Sequence, residues 1–383
     1  MVRHGSVASA VCALAMSVFS GCGDDGGMGP PDGLRACGTS PFLTVSPMAL
    51  SDIDQIAPLG NLNPPAHVLP TDHLYFYPSS LGSGTRSVPL VSPGDVVITE
   101  VFLNQRSGGG FPAQEDYDFT FWSCTDVRMS FAHVTTLAPS LAGRVGAIGQ
   151  SCDPPYQAGG VTNRACRKSV SIELAAGEPI GTTGGPMQGG LDWTTVDRRV
   201  SLPFVNPGRS WGASSEFGQS QATCGLDYIV AALADSLRAK LGRPSARRTI
   251  APVCGMHMHD VAGTASGRWY RPSRPDFPED PHLALARDNY NPNLAAFSVG
   301  TSVPSLPTGV YFFTPATSGM VNLDFRNVSA IGTTYCYQTS NPPRRILLSL
   351  LSATRVRIQA AGTGLCGDPS TWLFGAGSAE FER

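Results

Sequence analysis

The sequence predicts a mainly β fold with one convincing helix. Glycine (43) and proline (32) are abundant and charged residues make up only 15% of the 383 residues. This mixture is typical of short strands joined by many turns. Hydrophobic residues make up 42% of the chain, which is enough to form a sizeable core. The formal net charge of −2 gives no electrostatic support for binding nucleic acid or an anionic membrane surface.

The N-terminal residues predict an export signal. Arg3 and His4 precede the apolar run SVASAVCALAMSVF, which is too short for a transmembrane helix. The run ends in FSGC, which resembles a bacterial lipobox. We therefore expect residues 1–22 to be a lipoprotein signal peptide with Cys22 as the lipid-modified residue, and the alternative is an ordinary cleaved signal peptide. Residues 23–40 are rich in Gly, Pro and Asp and predict a flexible tether to the membrane. Both interpretations place the mature chain outside the cytoplasm, in the bacterial cell envelope.

Eight cysteines remain besides Cys12 and Cys22, and an even number in an exported chain favours disulfides. Spacing alone does not fix their connectivity. The near-neighbour pairs are the favoured ones, namely Cys152–Cys166, Cys224–Cys254 and Cys336–Cys366. The sequence contains no CxxC pair, so a zinc site built from thiolates is disfavoured.

Residues 41–210 predict a first β domain. The stretches HLYFYP, SVPLVSPGDVVITEVFL, DYDFTFWSC and VRMSFAHVTTL alternate or run apolar between Gly, Pro and Ser breaks.

A helix and a second β domain are expected to follow. Residues 211–247 predict a helical linker, because apolar residues recur at helical spacing before Gly242 and Pro244. The apolar residues are Leu226, Ile229, Leu233, Leu237 and Leu241. Residues 248–383 contain the apolar stretches GVYFFTP, TTYCYQ, RILLSLLS and TRVRIQAA, which predict a C-terminal β-sandwich-like domain.

The stretch HVLPTDH, residues 67–73, is the first candidate site. Its histidines and aspartate could form half of a zinc site, because zinc takes His, Asp and Glu ligands. The alternative is a polar turn, since Pro70 fixes φ and the Asp72 side chain can bond local amides. We expect His73 to point away from His67 and Asp72 and to pack or face solvent.

Four motifs in order resemble the lysostaphin-type zinc metallopeptidases, which cut peptide bonds in peptidoglycan cross-links. They are HVLPTDH, GDVVITEV (94–101), FAHV (131–134) and LAAGEPIGTTGG (174–185). The resemblance implies an antiparallel β-sheet domain over residues 41–210 and a possible zinc cofactor. It implies His67, Asp72 and Asp192 as the metal ligands, and His133 as a catalytic group beside the metal-bound water. Peptidoglycan or another cell-wall peptide is the implied partner.

The last family motif, His-x-His, departs most strongly. That position reads GGLDW, residues 189–193, so the family's catalytic histidine becomes Gly190 and its third zinc ligand becomes Asp192. One nitrogen and two carboxylates form a harder, more negative ligand set, so zinc affinity should fall. Loss of a positioned acid or base typically costs about 10²–10⁴-fold in rate.

A His-x-His does occur later, in MHMHD, residues 256–260. We expect His257 and His259 to lie on an exposed strand. The alternative requires the C-terminal region to fold back over the first sheet and complete the site.

The sequence thus leaves three functions open. The first is an envelope protein with a weakened or inactive peptidase-like domain that binds metal or peptidoglycan peptide. The second is an active zinc endopeptidase. The third is a structural or adhesive surface module.

Overall fold

The structure is a computed structural model that describes residues 29–39, 41–78, 86–108, 111–158, 161–185 and 189–383. The predicted signal peptide, Cys12, Cys22 and the first part of the tether lie outside these residues. None of the helices within the described ranges is long and apolar enough to cross a membrane.

The first domain is built on an 11-stranded antiparallel sheet. Its elements are β1 (Gln55–Ala57), β2 (His73–Tyr77), β3 (Ser87–Val91), β4 (Val96–Gly108), β5 (Phe111–Cys124), β6 (Val127–Leu137), α1 (Pro139–Val145), β7 (Ser151–Cys152), β8 (Tyr156–Ala158), β9 (Val161–Leu174), β10 (Pro179–Gly184) and β11 (Leu191–Asp197). The main strand order is β1-β2-β11-β6-β5-β4-β9-β7, strand β10 pairs with both β3 and β6, and β8 pairs with β9. The mainly β prediction is confirmed.

One face of the central strands is apolar and forms the first core. Phe76, Phe131 and Trp193 pack there with ring centroids 5.5–5.6 Å apart. Residues 43–59 and 224–241 cover this face and belong to the same buried cluster. The opposite face of the same strands carries polar side chains, because side chains alternate along each strand.

The predicted helical linker is different in the structure. The α-helix α2 spans only Ala231–Arg238, and a 3₁₀ turn at Gly225–Tyr228 precedes it. Leu226, Leu237 and Leu241 are buried in the first core, so this segment is part of the first domain rather than a linker. The helical spacing therefore identified the buried residues correctly but overestimated the length of the helix. A further α-helix, α1, has no counterpart in the prediction.

The C-terminal domain consists of two four-stranded sheets that pack face to face. The remaining strands are β12 (Gly242–Arg243), β13 (Ala246–Arg247), β14 (Gly267–Trp269), β15 (Leu283–Arg287), β16 (Ala295–Val299), β17 (Gly309–Phe313), β18 (Thr334–Ser340), β19 (Pro343–Ser352), β20 (Arg355–Ala360) and β21 (Ala379–Glu382). Strands β14–β17 form one sheet and β18–β21 form the other. Single bridges, Tyr270–Glu382 and Phe312–Asn341, join the two sheets at both edges.

Four disulfides connect these parts. Cys152–Cys166, Cys224–Cys254 and Cys336–Cys366 are the pairs that the sequence favoured, and Cys37–Cys124 is the fourth. Four disulfides indicate an oxidising, extracytoplasmic location.

The C-terminal core supports a stability prediction. Phe297 is fully buried and contacts Phe313, Phe325 and Tyr337 at centroid distances of 4.9–5.9 Å. We expect Phe297→Ala to lower the free energy of unfolding by about 3–5 kcal/mol, because a cavity replaces the ring. Leu373→Ala is the control, since Leu373 is 74% exposed and should change stability by less than about 0.5 kcal/mol. Denaturant unfolding followed by near-UV circular dichroism measures both, and equal effects would contradict this packing.

Candidate functional site

The polar face of the central sheet forms the floor of a cavity of about 340 Å³. Alternate residues of neighbouring strands line the cavity. The pairing of β11 with β6 places these residues side by side. The roof comes from two later parts of the chain, residues 209–219 and residues 268–279. The cavity therefore lies between the first sheet and the C-terminal domain. The floor residues include Asp118, Thr120, Arg128, Ser130, Asp192 and Thr194.

A β-bulge aims His133 into this cavity. Strict alternation along β6 would place Phe131 and His133 on the apolar face together. Instead His133 adopts a left-handed φ of 68°, and the β5–β6 register shifts between Tyr117 and Phe119. The Asp118 Oδ1 accepts a hydrogen bond from the His133 backbone N–H at 3.2 Å, which fixes the bulge. Bulges of this kind re-aim side chains beside functional sites.

Two histidines meet at one carboxylate. The Nε2 atoms of His73 and His133 lie 3.5 and 3.4 Å from the same atom, Asp192 Oδ2. Asp192 reaches this position because β11 runs between β2 and β6, opposite Tyr75 on one side and Ala132 on the other. All three side chains are buried.

A second carboxylate supports each histidine from behind. Asp72 Oδ1 lies 3.1 Å from His73 Nδ1, and Asp116 Oδ2 lies 2.8 Å from His133 Nδ1. Arg106 donates a hydrogen bond to the same Asp116 oxygen at 2.7 Å. Histidines that bind metals usually donate their other ring nitrogen to a carboxylate in this way.

His67 lies beside this cluster. Its ring centroid is 5.6 Å from that of His73 and 6.2 Å from that of Tyr75. Its Nδ1 atom is buried without a hydrogen-bond partner, which is costly for a polar atom. His73 Nε2 likewise lacks a hydrogen bond.

The charges shift the pKa values of these groups in opposite directions. Burial opposes protonation of His133, but the Asp192 charge and the Asp116 hydrogen bond raise its pKa to about 10. Burial likewise opposes charge on His73, and Asp192 and Asp72 still raise its pKa. Burial and the neighbouring His73 lower the pKa of His67 to about 3.

The expected ligand Asp72 does not face His67 with a vacant oxygen. Its Oδ1 bonds His73, and its Oδ2 accepts hydrogen bonds from Trp211 Nε1 at 2.6 Å and Gln219 Nε2 at 2.9 Å. The expectation that His73 points away from both residues is wrong, because it touches Asp72 and lies beside His67. His73 begins β2 and shares a face with Tyr75, so strand alternation from Tyr75 could have identified it.

The MHMHD segment also differs from its prediction. His257 and His259 are buried and do not lie on a strand. His257 Nε2 lies 3.3 Å from the Gln219 carbonyl oxygen, behind Asp72 rather than in the histidine cluster. The C-terminal region does fold over the first sheet, yet this pair adds no group to the cluster.

Gly190, the position that the resemblance aligns with a catalytic histidine, has no space for a side chain. A Cβ atom at Gly190 would lie 2.2 Å from the Phe76 carbonyl oxygen. Any side chain there would require the backbone of β2 or β11 to move. The backbone at this position therefore accommodates glycine alone.

Sequence reasoning missed the residues that the roof contributes. Glu279 accepts a hydrogen bond from the Leu69 backbone N–H at 2.9 Å and lines the cavity. Burial raises the pKa of Glu279 to about 7. Arg268, 2% exposed, reaches the cavity from the same side. Both lie more than 130 residues after His133 in motif-free sequence, so no local signal identifies them.

The donors fit a zinc ion in part. In a tetrahedral site with bonds of about 2.0–2.2 Å, two ligands lie roughly 3.3–3.6 Å apart. The separations of 3.5 and 3.4 Å from Asp192 Oδ2 to His73 and His133 match this spacing. Within the described ranges, however, no three His, Cys, Asp or Glu side chains reach the full geometry of a metal site. His67 is a further donor beside the pair, with its ring centroid 5.6 Å from that of His73, and its ring would have to move.

Searches of protein-family models, of curated proteins and of solved structures found no match to this chain.

The raised pKa of His133 predicts how stability depends on pH in the metal-free protein. Unfolded histidine has a pKa of about 6.5. The stabilisation by protonated His133 is therefore fully present below about pH 6.5 and is lost as pH rises through about 10. We expect the free energy of unfolding to fall between pH 7 and 10, and less so in His133→Gln.

NMR titration of the histidine rings provides the control. Burial lowers the pKa of His282 to about 4, so its ring should stay neutral throughout this range. A His133 ring that is already neutral at pH 7 would contradict the proposed charge arrangement.

Proposed function

We propose that this chain is an exported cell-envelope protein that binds a divalent metal ion, zinc by its donor types, together with a cell-wall peptide. Its ability to hydrolyse that peptide is weakened or lost. The observation that carries the proposal is the pair of carboxylate-backed histidines facing one buried carboxylate on the floor of the cavity. The order of the four peptidase-like motifs supports the cell wall as the source of the peptide.

His73, His133 and Asp192 would hold the ion, with His67 as a fourth donor. A bound zinc ion supplies a Lewis acid that polarises a carbonyl and acidifies water. Asp72 and Asp116 fix the two histidine rings and bind their Nδ1 protons, so that both Nε2 atoms face inward. This set is richer in histidine than the set implied by the sequence, and imidazole suits zinc well.

Two features support reduced catalysis. The acid or base expected at Gly190 is absent, and the backbone there leaves no space for it. The C-terminal domain also covers the cavity, which restricts access by a long cross-linked strand. These features favour a binding role over a fast endopeptidase.

Glu279 favours the alternative of an active enzyme. Its side chain lines the same cavity and, with a pKa of about 7, it can gain or lose a proton near neutral pH. The Glu279 carboxylate would then act as the acid or base in place of the histidine that is absent at Gly190.

The incomplete metal geometry favours the third candidate, a structural module, in which the buried charges serve only to fix the fold.

Zinc titration separates these candidates. We expect purified mature protein to bind zinc with one-to-one stoichiometry, and Asp192→Asn and His73→Ala to lower the affinity about a hundredfold or more. Asp235→Asn is the matched control, because the Asp235 side chain is 77% exposed on α2. The apparent affinity should rise from pH 7 to 9.5, since the proton on His133 must leave before its nitrogen can bind.

Isothermal titration calorimetry in buffers of different ionisation enthalpy measures both the affinity and the released proton. A parent protein that binds no zinc at pH 8, or an Asp192→Asn variant that binds it equally well, would remove the metal from the proposal.

Peptide hydrolysis tests the role of Glu279. If the protein turns over cell-wall peptides, we expect Glu279→Gln to lower the rate by about 10²–10⁴-fold and to abolish the pH dependence near 7. Glu216→Gln is the control, because Glu216 is 74% exposed and is not among the residues that line the cavity. An unchanged pH–rate profile in Glu279→Gln would exclude Glu279 as the acid or base.

A further inference from the structure

Arg128 is a cation on the cavity floor that forms no close ion pair among the described residues. It lies on β6 and lines the cavity on the same face as Ser130 and Ala132. Its Nη2 donates a hydrogen bond to the Phe217 carbonyl oxygen at 2.6 Å, and its guanidinium carbon lies 5.5 Å from the Phe217 ring centroid. No ion pair within 4.0 Å includes Arg128 among the described residues. Burial lowers the pKa of Arg128 to about 10, although the charge of Glu100 partly opposes this shift.

Arg268 is a second such cation and reaches the same cavity from the roof. It donates hydrogen bonds to Gln219 Oε1 and, at 2.9 Å, to the Pro70 carbonyl oxygen. Its Nε atom is buried without a partner, and its guanidinium carbon lies 4.7 Å from the Phe204 ring centroid. Like Arg128, it takes part in no ion pair within the described part of the chain.

Buried arginines are usually paired with carboxylates, because an uncompensated charge in a low-dielectric interior is costly. Here the buried Arg268 and the half-buried Arg128 line one cavity, and the hydrogen bonds of each go only to neutral oxygens. An anionic ligand in the cavity would compensate both charges. A carboxylate suits the guanidinium group best, since the two groups form paired, charge-assisted hydrogen bonds.

The distance along the floor limits the size of such a ligand. Arg128 pairs with Val196, and Ala132 pairs with Asp192 in the same ladder. Four residues of strand separate these rows by about 13 Å, and the arginine side chain spans part of that distance. One or two extended peptide residues cover roughly 3–7 Å. A short peptide can therefore contact Arg128 at one end and the histidine cluster at the other.

We propose that the cavity binds a short peptide by its free C-terminal carboxylate, with Arg128 as the binding residue and Arg268 facing the same charge from the roof. The peptide bond one or two residues from that carboxylate would then lie over His73, His133 and Asp192. This assignment of the bond rests on the proposed function, whereas binding of the carboxylate does not. The ligand is accordingly a peptide end rather than the interior of a cross-linked strand.

The test compares two ligands that differ only in charge. Acetyl-trialanine with a free carboxylate and the same peptide as a C-terminal amide are titrated into the full mature protein, each in its L and D forms. We expect the acid to bind about ten- to a hundredfold more tightly than the amide, the range for hydrogen bonds to a charged group. The D form should bind more tightly than the L form if the ligand comes from the cell wall.

Variants then assign the effect to Arg128. In Arg128→Gln the ratio of acid to amide affinity should fall to near one, and Arg128→Lys should retain part of it. Arg355→Gln is the control, because its side chain is 53% exposed and lies on β20 of the C-terminal domain. The comparison of ligands on the parent protein stands even if Arg128→Gln does not fold.

Equal binding of acid and amide by the parent, or no binding of either at millimolar concentration, would overturn the inference. Tighter binding of inorganic phosphate than of the peptide acid would also overturn it, in favour of a phosphate site. Preference for the acid in a protein that binds no zinc would retain the carboxylate site and remove the metal proposal. Zinc binding without a preference for the acid would retain the metal proposal and remove the carboxylate site.

Discussion

The carboxylate of Asp192 is the group on which the rest of the site depends. It is buried on the floor of the cavity, and the Nε2 atoms of His73 and His133 approach the same oxygen. Without this charge, two buried imidazoles that carry raised pKa values would have no common counter-ion. The register of β11 between β2 and β6 produces this arrangement, and a slip of one residue would turn Asp192 into the apolar core.

Polar contacts extend outward from this group to the C-terminal domain. Asp72 supports His73, Gln219 donates to Asp72, and Arg268 donates to the same Gln219 side chain. Each step satisfies a buried polar group, so the removal of one member leaves its neighbour unpaired. The sheet and the roof are therefore coupled through hydrogen bonds as well as through the shared cavity. This coupling is why the C-terminal domain belongs to the site rather than beside it.

Local sequence patterns identified the strands and part of the site. Alternation identified the strands around Phe119 and Phe131, and the motif order singled out Asp192 and His133, which the structure brings into one cavity. The same alternation, extended back from Tyr75, would have predicted His73 rather than Asp72 as the side chain that faces the histidine cluster.

Other parts of the site depend on geometry that no local pattern encodes. The bulge at His133 reverses the side that alternation assigns to it, and Asp118 fixes that bulge from another strand. Glu279 and Arg268 come from a later part of the chain, and only tertiary packing brings them to the cavity. The helix was overestimated for a related reason, because its apolar spacing also suits a 3₁₀ turn and an extended segment packed on the same core.

The roof determines when during folding the cavity is complete and able to bind a ligand. The roof residues follow the floor residues along the chain, and Cys224–Cys254 ties the segment after Gln219 to the segment before Arg268. The cavity therefore does not exist in a partly synthesised chain, and its roof is secured only where thiols oxidise. The ability to bind a ligand in the cavity therefore depends on folding being completed in an oxidising compartment. In a reduced precursor the roof would not be held in place, so the histidine cluster would be exposed and Arg268 would not face the cavity.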